Sequence, residues 1–178
     1  KTGRAKKKEL RIAVLARHAS DVIIPAVVKI LKRHLDTISV SMDVHASRDI
    51  YYSKYSHPFD IGFGTLLSTH DDLQKVALAH LPFRLVVSQE NPLAAKDRVT
   101  KSDYADESFV VLSRDTPERE YSDRLLPENG LAQVAAEVSS TQVALRFVKR
   151  NVGVHFTDKL AAMSVSSDCR AIPLADEL

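Results

Sequence analysis

The residue types that carry most enzyme chemistry occur in this sequence, but their spacing matches no catalytic or metal-binding pattern. Histidine occurs at positions 18, 34, 45, 57, 70, 80 and 155, without the HExxH spacing that brings two imidazoles to one zinc ion. Cysteine occurs once, at Cys169, so no internal disulfide can form and no cysteine pair supports a metal site. The GxSxG nucleophile turn, the phosphate loop and the GxGxxG motif are also missing from the sequence. We therefore predict that the protein is not an enzyme and holds neither a metal nor a cofactor.

Two of the five glycines, Gly62 and Gly64, flank Phe63 inside an apolar stretch at 58–66. Glycine weakens a strand, and the usual reason for it is that another chain segment or a ligand approaches the backbone closely. These glycines end a predicted strand, with Thr65 directly after them. Ligands of open parallel sheets bind beyond the carboxyl ends of the strands, so we interpret the close approach as that of a ligand.

Polar side chains also follow predicted strands further along the chain. Thr116 precedes a predicted helix and is either an N-cap or a ligand contact. Arg114 and Arg119 are able to bind a carboxylate through two hydrogen bonds, although solvated pairs with neighbouring acidic residues are the favoured interpretation. Residues 139–141 (Ser-Ser-Thr) crowd a strand-to-helix turn, where capping is the default interpretation and ligand contact the alternative.

Hydrophobic periodicity predicts strands and helices in alternation. The predicted strands are 10–15, 38–44, 60–64, 77–88, 109–113, 134–138, 152–156 and 169–174. The predicted helices are 24–35 with Ser20 or Asp21 as N-cap and Pro25 in the first turn, a short helix or turn at 50–55, 118–128, a helix around 143–148, and a turn at 159–163. This alternation favours an α/β fold with parallel sheets and right-handed crossovers. Two such sets, joined by a strand at 77–88 that crosses between them, predict two lobes around a cleft.

Composition limits the classes of partner. Hydrophobic residues make up 44% of the 178 residues and charged residues 27%, as in a globular protein with a real core. No apolar run approaches the ~20 residues of a membrane span, and we predict no membrane partner. Five of the 25 basic residues lie within positions 1–8, which leaves 20 basic against 23 acidic residues and a net charge of −3 for the rest. The rest is therefore not a nucleic-acid-binding surface, and we interpret 1–8 as a linker or cloning remnant, with DNA contact as the alternative.

Several stretches, in this order, resemble the effector-binding domain of LysR-type transcriptional regulators. They are LRIAVLARHASDVIIPAVVKILKRHL, FDIGFGTL, LPFRLVVSQENPLAAKDRVTKSDYADESFVVL, EVSSTQVALRFVKRNVGVHF and CRAIPL. The resemblance implies a type 2 periplasmic-binding-protein-like fold, with two lobes of Rossmann-like parallel sheets around a central cleft. Lobe I would cover 9–84, completed by about 172–178 with its end truncated, and lobe II would cover 85–171.

The resemblance further implies a ligand-sensing domain of a bacterial, cytoplasmic regulator. A small-molecule effector, a carboxylate or an amino acid, would bind between the lobes. The domain would form a homo-oligomer, either a dimer or a tetramer. DNA would be bound only through an N-terminal winged helix-turn-helix that is absent from this sequence.

The positions that match effector contacts of the family can be named. They are His18, Ser47, Thr65, Thr116, Pro117 and Phe156, with close backbone approach at Gly62 and Gly64. The family commonly has Ser or Thr where His18 stands, which leaves the class of ligand open. Ser47, Thr65 and Thr116 also have a purely local interpretation, because Ser and Thr fill turns and caps for their own hydrogen bonds. The alternative for His18 is a loop histidine whose hydrogen bonds are satisfied within the protein.

Two other classes of function remain as alternatives. The first is a solute-binding protein of a transport system, and the second is an enzyme on the same scaffold, such as a dehydratase or a phosphoribosyl transferase. A helix-turn-helix in the full gene product favours the regulator, whereas a cleavable leader favours the transport protein.

Overall fold

The structure, a computed structural model, describes residues 7–45, 50, 57–64, 73–114, 116–127 and 133–175. The chain has mixed α/β structure with parallel sheets, consistent with a type 2 periplasmic-binding-protein-like fold. It divides into two units, Lys1–Ser68 and Thr69–Leu178. The first unit is shorter than the predicted lobe at 9–84, because the chain from Thr69 onward groups with the second unit. The lobe limits stay a prediction.

The first unit contains a three-stranded parallel sheet. Its strands are β1 (Lys8–Leu15), β2 (Ile38–His45) and β3 (Ile61–Phe63). The order is β2-β1-β3, so β1 is central, and its last four residues are buried. Val14 packs with Val27 on one face, and Leu15 packs with Ile50 on the other. The predicted strands at 10–15, 38–44 and 60–64 are confirmed, and of the predicted helix or turn at 50–55 only residue 50 lies in the described ranges.

The first helical region has three parts: α1 (Ala16–His18), a π-helical turn (Ala19–Ile23) and α2 (Ile24–His34). The prediction of an N-cap at Ser20 or Asp21 is wrong, since helical backbone begins directly after Leu15. Pro25 lies in the first turn of α2, as predicted. A proline has no N–H and crowds the carbonyl four residues back, and a locally widened turn relieves this crowding where a helix continues past it. The π turn provides this, with the Ile24 N–H bonded to the Ala19 carbonyl five residues back.

The described residues of the second unit form five strands in a mixed sheet. They are β4 (Phe83–Ser88), β5 (Ser108–Leu112), β6 (Gln133–Val138), β7 (His155–Asp158) and β8 (Cys169–Pro173). Strand β4 lies between β7 and β8 and is antiparallel to both, while β5 and β6 are parallel. A parallel bridge between Phe109 and Val154 links the two groups, which gives the order β6-β5-β7-β4-β8. The predicted parallel pairing holds for β5 and β6, and β4 adds antiparallel pairing because it runs against both its neighbours.

Two predicted strand limits are corrected. The strand predicted at 77–88 begins only at Phe83, since Pro82 has no N–H to donate to a neighbouring strand. The strand predicted at 152–156 begins at His155. Residues 172–175, which we expected to return to the first lobe, lie beside the second unit's strands: Val99 donates to the carbonyl of Pro173 at 3.0 Å.

Three helices and one 3-10 turn are also present where the structure describes the second unit. They are the turn Pro92–Ala95, α3 (Pro117–Leu125), α4 (Thr141–Val148) and α5 (Lys159–Ala162). The core holds an aromatic group in which the rings of Phe109 and Phe156 stack with centroids 5.9 Å apart. The ring of Tyr104 meets Phe156 edge-on at 5.4 Å. Among helices in the described ranges, none has the length and apolarity of a membrane span.

Candidate functional site

The carboxyl ends of the three parallel strands of the first unit meet at one edge of its sheet. Leu15 of β1 stands in register with His45 of β2, and Val14 stands in register with Phe63 of β3. Helix α1 continues from β1 at this edge and ends at His18, which is buried with 6% of its surface exposed. The structure thus places His18 and His45 at the edge where ligands of parallel sheets bind. Ser47 and Thr65 lie outside the described residues.

His45 is a residue that the sequence reasoning missed. Its Nε2 atom is buried and has no hydrogen-bond partner among the residues that the structure describes. A buried imidazole nitrogen without a partner is unfavourable unless some group meets it. The sequence signal was available, because His45 directly follows the strand predicted at 38–44 and lies two positions before Ser47.

Gly62 and Gly64 are explained by the protein's own side chains, which corrects the ligand interpretation. A Cβ atom on Gly64 would lie 2.9 Å from Cδ1 of Ile50 and 3.2 Å from Cδ1 of Leu15. A Cβ atom on Gly62 would lie 3.1 Å from the ring of Phe59. Both glycines have exposed backbone, yet the direction in which a side chain would project is filled. Side chains of the protein itself, rather than a ligand, therefore account for the close approach.

In the second unit, the strands β5, β6 and β7 each lead into a helix, and two of these helices have a side-chain cap. Thr116 caps α3: its hydroxyl oxygen accepts from the Arg119 N–H at 3.3 Å and donates to the Ser113 carbonyl at 2.9 Å. Asp158 caps α5, with Oδ1 accepting from the N–H groups of Leu160 and Ala161, both at 2.9 Å. The capping interpretation of Thr116 is confirmed. Pro117 follows it as the opening residue of α3.

Helix α4 differs from these two. Ser140 stands at its N-cap position with extended backbone, but its side chain makes no cap hydrogen bond. The prediction that this turn is used for capping is therefore wrong at Ser140. The next residue, Thr141, is buried with 8% of its surface exposed. The first N–H groups of a helix have no intrahelical partner and carry its positive end, so they are available to an anion.

Phe156 is not a site residue in the structure. It is 4% exposed and packs with Tyr104 and Phe109 inside the core of its own unit. Side chains alternate between the faces of a strand, so His155 and Thr157 project from the opposite face of β7. The expectation that Phe156 faces a ligand is wrong for this reason.

Arg119 is buried rather than solvated. Its side chain is 7% exposed and forms ion pairs with Asp123 and Glu137, while Arg114 is exposed. With two carboxylates as partners, the Arg119 guanidinium is neutralised from within the protein. It is therefore a poor candidate for direct contact with an effector carboxylate.

His155 is a buried histidine in the second unit. Its Nδ1 lies 2.8 Å from the carbonyl oxygen of Val110, and because a carbonyl can only accept, Nδ1 carries the proton. Within the described part of the chain, its buried Nε2 has no hydrogen-bond partner. Burial lowers the pKa of His155 to about 4, against the opposing effect of the hydrogen bond to Val110. The imidazole is therefore neutral at pH 7.

Within the described ranges, no three His, Cys, Asp or Glu side chains come together as a possible metal site.

Comparisons with known proteins give one family. The family model described as LysR substrate binding domain matches residues 3–178. The effector-binding domain of QuiR in complex with shikimate is 17% identical, with a TM-score of 0.79, covering 96% of this chain and 82% of that chain. The regulatory domain of CcmR from Synechocystis PCC6803 in complex with 2-PG is 16% identical, with a TM-score of 0.78, covering 95% and 82%.

The effector-binding domain of BenM with its effector benzoate has the same fold. It is 17% identical, with a TM-score of 0.76, covering 96% of this chain and 79% of that chain. At these identities the likeness to the three structures shows a common fold. Comparison with curated proteins gives no match.

Proposed function

This chain belongs to the family of LysR substrate-binding domains and is a ligand-sensing regulatory domain, and we propose that its ligand is a small carboxylate. The uncapped N-terminus of α4 carries this proposal. Of the three helices that follow parallel strands in the second unit, α4 alone among those described lacks a side-chain cap. A carboxylate oxygen would supply the missing acceptor and would be stabilised by the positive end of the helix.

The named ligands of two structural neighbours support the same chemistry. Shikimate, in the QuiR structure, and benzoate, in the BenM structure, are both carboxylate anions. In this chain, we propose that Ser140 and Thr141 contact the carboxylate. His18, His45, Ser47 and Thr65 are proposed as further ligand contacts.

Regulation would follow from differential affinity. A ligand that binds one conformation of the protein more tightly than another shifts the population toward the conformation that it prefers. The size of this shift is limited by the difference between the two binding free energies. We propose that this shift passes to an N-terminal winged helix-turn-helix in the full-length regulator. In this proposal, DNA is bound only through that module, the protein acts in the cytoplasm, and the domain itself performs no catalysis.

We further propose a homo-oligomer, a dimer or a tetramer. Ile24, Val28 and Leu35 lie on one side of the α2 region, at spacings of four and seven residues, and are 42%, 41% and 61% exposed. Neighbouring exposed apolar side chains on a helix mark an interaction surface. A second copy of the domain is the partner proposed for this surface.

Isothermal titration calorimetry with benzoate, shikimate and an amino-acid panel tests the ligand proposal. Thr141→Val removes a hydroxyl at nearly constant volume, and we expect it to weaken carboxylate binding about tenfold, the loss of roughly one charge-assisted hydrogen bond. Ser166→Ala is the matched control, since Ser166 is exposed and lies in the turn before β8. Equal affinities of the two variants for a carboxylate that the parent binds would refute the assignment to α4.

A further inference from the structure

We infer that Arg119 is the positioning residue of the ligand site: its guanidinium fixes the end of β6, and with it the uncapped N-terminus of α4. This inference rests on the proposed function for the role of α4 in binding. The side chain of Arg119 is 7% exposed and lies between the carboxyl ends of two neighbouring parallel strands. Arg119 with its acceptors Leu112, Asp123 and Glu137 is called the Arg119 clamp below.

The clamp joins three elements through one side chain. Nη1 donates to the carbonyl of Leu112, the last residue of β5, at 2.7 Å. The same nitrogen donates to Glu137 Oε2, in the penultimate residue of β6, at 3.2 Å. Nε donates to Asp123 Oδ1, one turn further along α3, at 2.5 Å. The planar fork of arginine suits these divergent acceptors, whereas a lysine ammonium cannot hold all three in the same geometry.

A second contact reinforces the same junction. The Ser113 N–H donates to the carbonyl of Val138 at 2.9 Å, and the Ser113 hydroxyl reaches the same oxygen at 3.3 Å. Val138 ends β6, and Ser140 stands only two residues beyond it. The Ala144 N–H then donates to the Ser140 carbonyl at 3.0 Å, which starts the α4 hydrogen-bond ladder. A shift of Glu137 therefore moves the first turn of α4 almost directly.

The charges assign Arg119 a positioning role rather than direct ligand contact. Asp123 and Glu137 are 45% and 46% exposed, so their remaining oxygens reach water while the guanidinium is buried between them. One buried cation with two carboxylate partners offers no net positive charge to an anionic ligand. A buried guanidinium that loses its acceptors is strongly unfavourable, so the clamp has one preferred arrangement.

Hydrogen exchange of the otherwise unmodified domain tests this without a ligand. We expect Arg119→Met to raise amide exchange at Ser113 and Ala144 about tenfold or more over the parent, while amides of the β4–β8 ladder change little. Arg124→Met is the matched control, because Arg124 lies on the same helix in an exposed pair with Glu120. Leu125→Ala, in the buried face of that helix, controls for general loss of stability. Exchange at Ser113 and Ala144 that rises no more in Arg119→Met than in these two controls would overturn the inference.

Milder variants keep the test decisive if Arg119→Met does not fold. Arg119→Lys keeps the charge but not the fork, and Glu137→Gln keeps one acceptor oxygen. Each is expected to raise exchange at the same two amides, and parent-like exchange in both would overturn the inference.

Titration with benzoate and shikimate then connects the clamp to binding. We expect the affinity of any probe that the parent binds to fall about tenfold in Arg119→Lys and to stay unchanged in Arg124→Met. Affinity that is unchanged in both, despite faster exchange, would overturn the positioning role. If the parent binds neither probe nor any other carboxylate, the proposed ligand class fails, and the exchange data still decide whether the clamp fixes α4.

Discussion

Acidification is predicted to destabilise this protein through His155. The imidazole is neutral in the folded protein down to low pH, because burial lowers its pKa from 6.5 to about 4. In the unfolded chain it takes up a proton below its ordinary pKa. Between these two values the unfolded state binds more protons than the folded state, so the free energy of unfolding falls as the pH is lowered. Above pH 6.5 the effect is absent.

The magnitude follows from the difference between the two pKa values. Each pKa unit corresponds to 1.36 kcal/mol, so the full effect of His155 is about 3 kcal/mol. Most of it, about 2 kcal/mol, is expected between pH 7 and pH 4.5. The structural cause is that protonation would place a charged N–H at Nε2, where the described residues supply no acceptor.

Urea unfolding at pH 7, 6, 5 and 4.5 measures this effect when the parent is compared with His155→Asn. Asparagine retains an N–H that can reach the Val110 carbonyl, but it does not titrate. Between pH 7 and pH 4.5, we expect the free energy of unfolding to fall by about 2 kcal/mol less in the variant than in the parent. His80→Gln, at an exposed histidine, is the control and should follow the parent. Parallel pH curves for the parent and His155→Asn would refute the reasoning.

Three further predictions concern glycine, the core and the α2 surface. Gly153→Ala should lower the free energy of unfolding by about 1–3 kcal/mol, because the added Cβ would lie 2.6 Å from a backbone oxygen. Gly64→Ala should lower it by less, because the added Cβ would meet the end of a side chain that can move. Chemical denaturation checks the order, and a larger loss at Gly64 would contradict it. Phe156→Ala should lower the free energy of unfolding by about 3–5 kcal/mol as a core residue, and loss of ligand affinity without loss of stability would show that it faces the ligand instead. Ile24→Asp should shift the domain toward monomer in sedimentation velocity. Lys29→Asp, at an exposed charged position of α2, is the control. If Ile24→Asp assembles like the parent, this surface is not the oligomer interface.

Much of the fold was predictable because hydrophobic periodicity reports burial. The run Ile12–Leu15 is buried on both faces and lies in the strand predicted at 10–15. The antiparallel pairing of β4 was not predictable in the same way, because strand direction depends on contacts far apart in the sequence, such as Leu85 with Phe156 and Ile172. The π turn before Pro25 was missed because periodicity does not distinguish a widened turn from a regular helix.

The site was predicted less well, since local sequence does not reveal which partner a polar or small residue meets. Gly64 was correctly linked to a close approach, but the approaching atoms belong to Ile50 and Leu15. Phe156 was assigned to the site from the family resemblance alone, and its burial against Tyr104 and Phe109 depends on contacts far apart in the sequence. The burial of Arg119 depends on Glu137, eighteen residues away, and no local pattern indicates such a pair.

Chemical-shift mapping with a panel of carboxylates and amino acids tests most directly whether the strand-end edges bind the ligand. We predict that at least one carboxylate binds and shifts the amide resonances of Ser140 and Thr141, together with those near His18 and His45. Binding that shifts only residues remote from these positions, or no binding by any carboxylate or amino acid in the panel, would contradict the proposed ligand site.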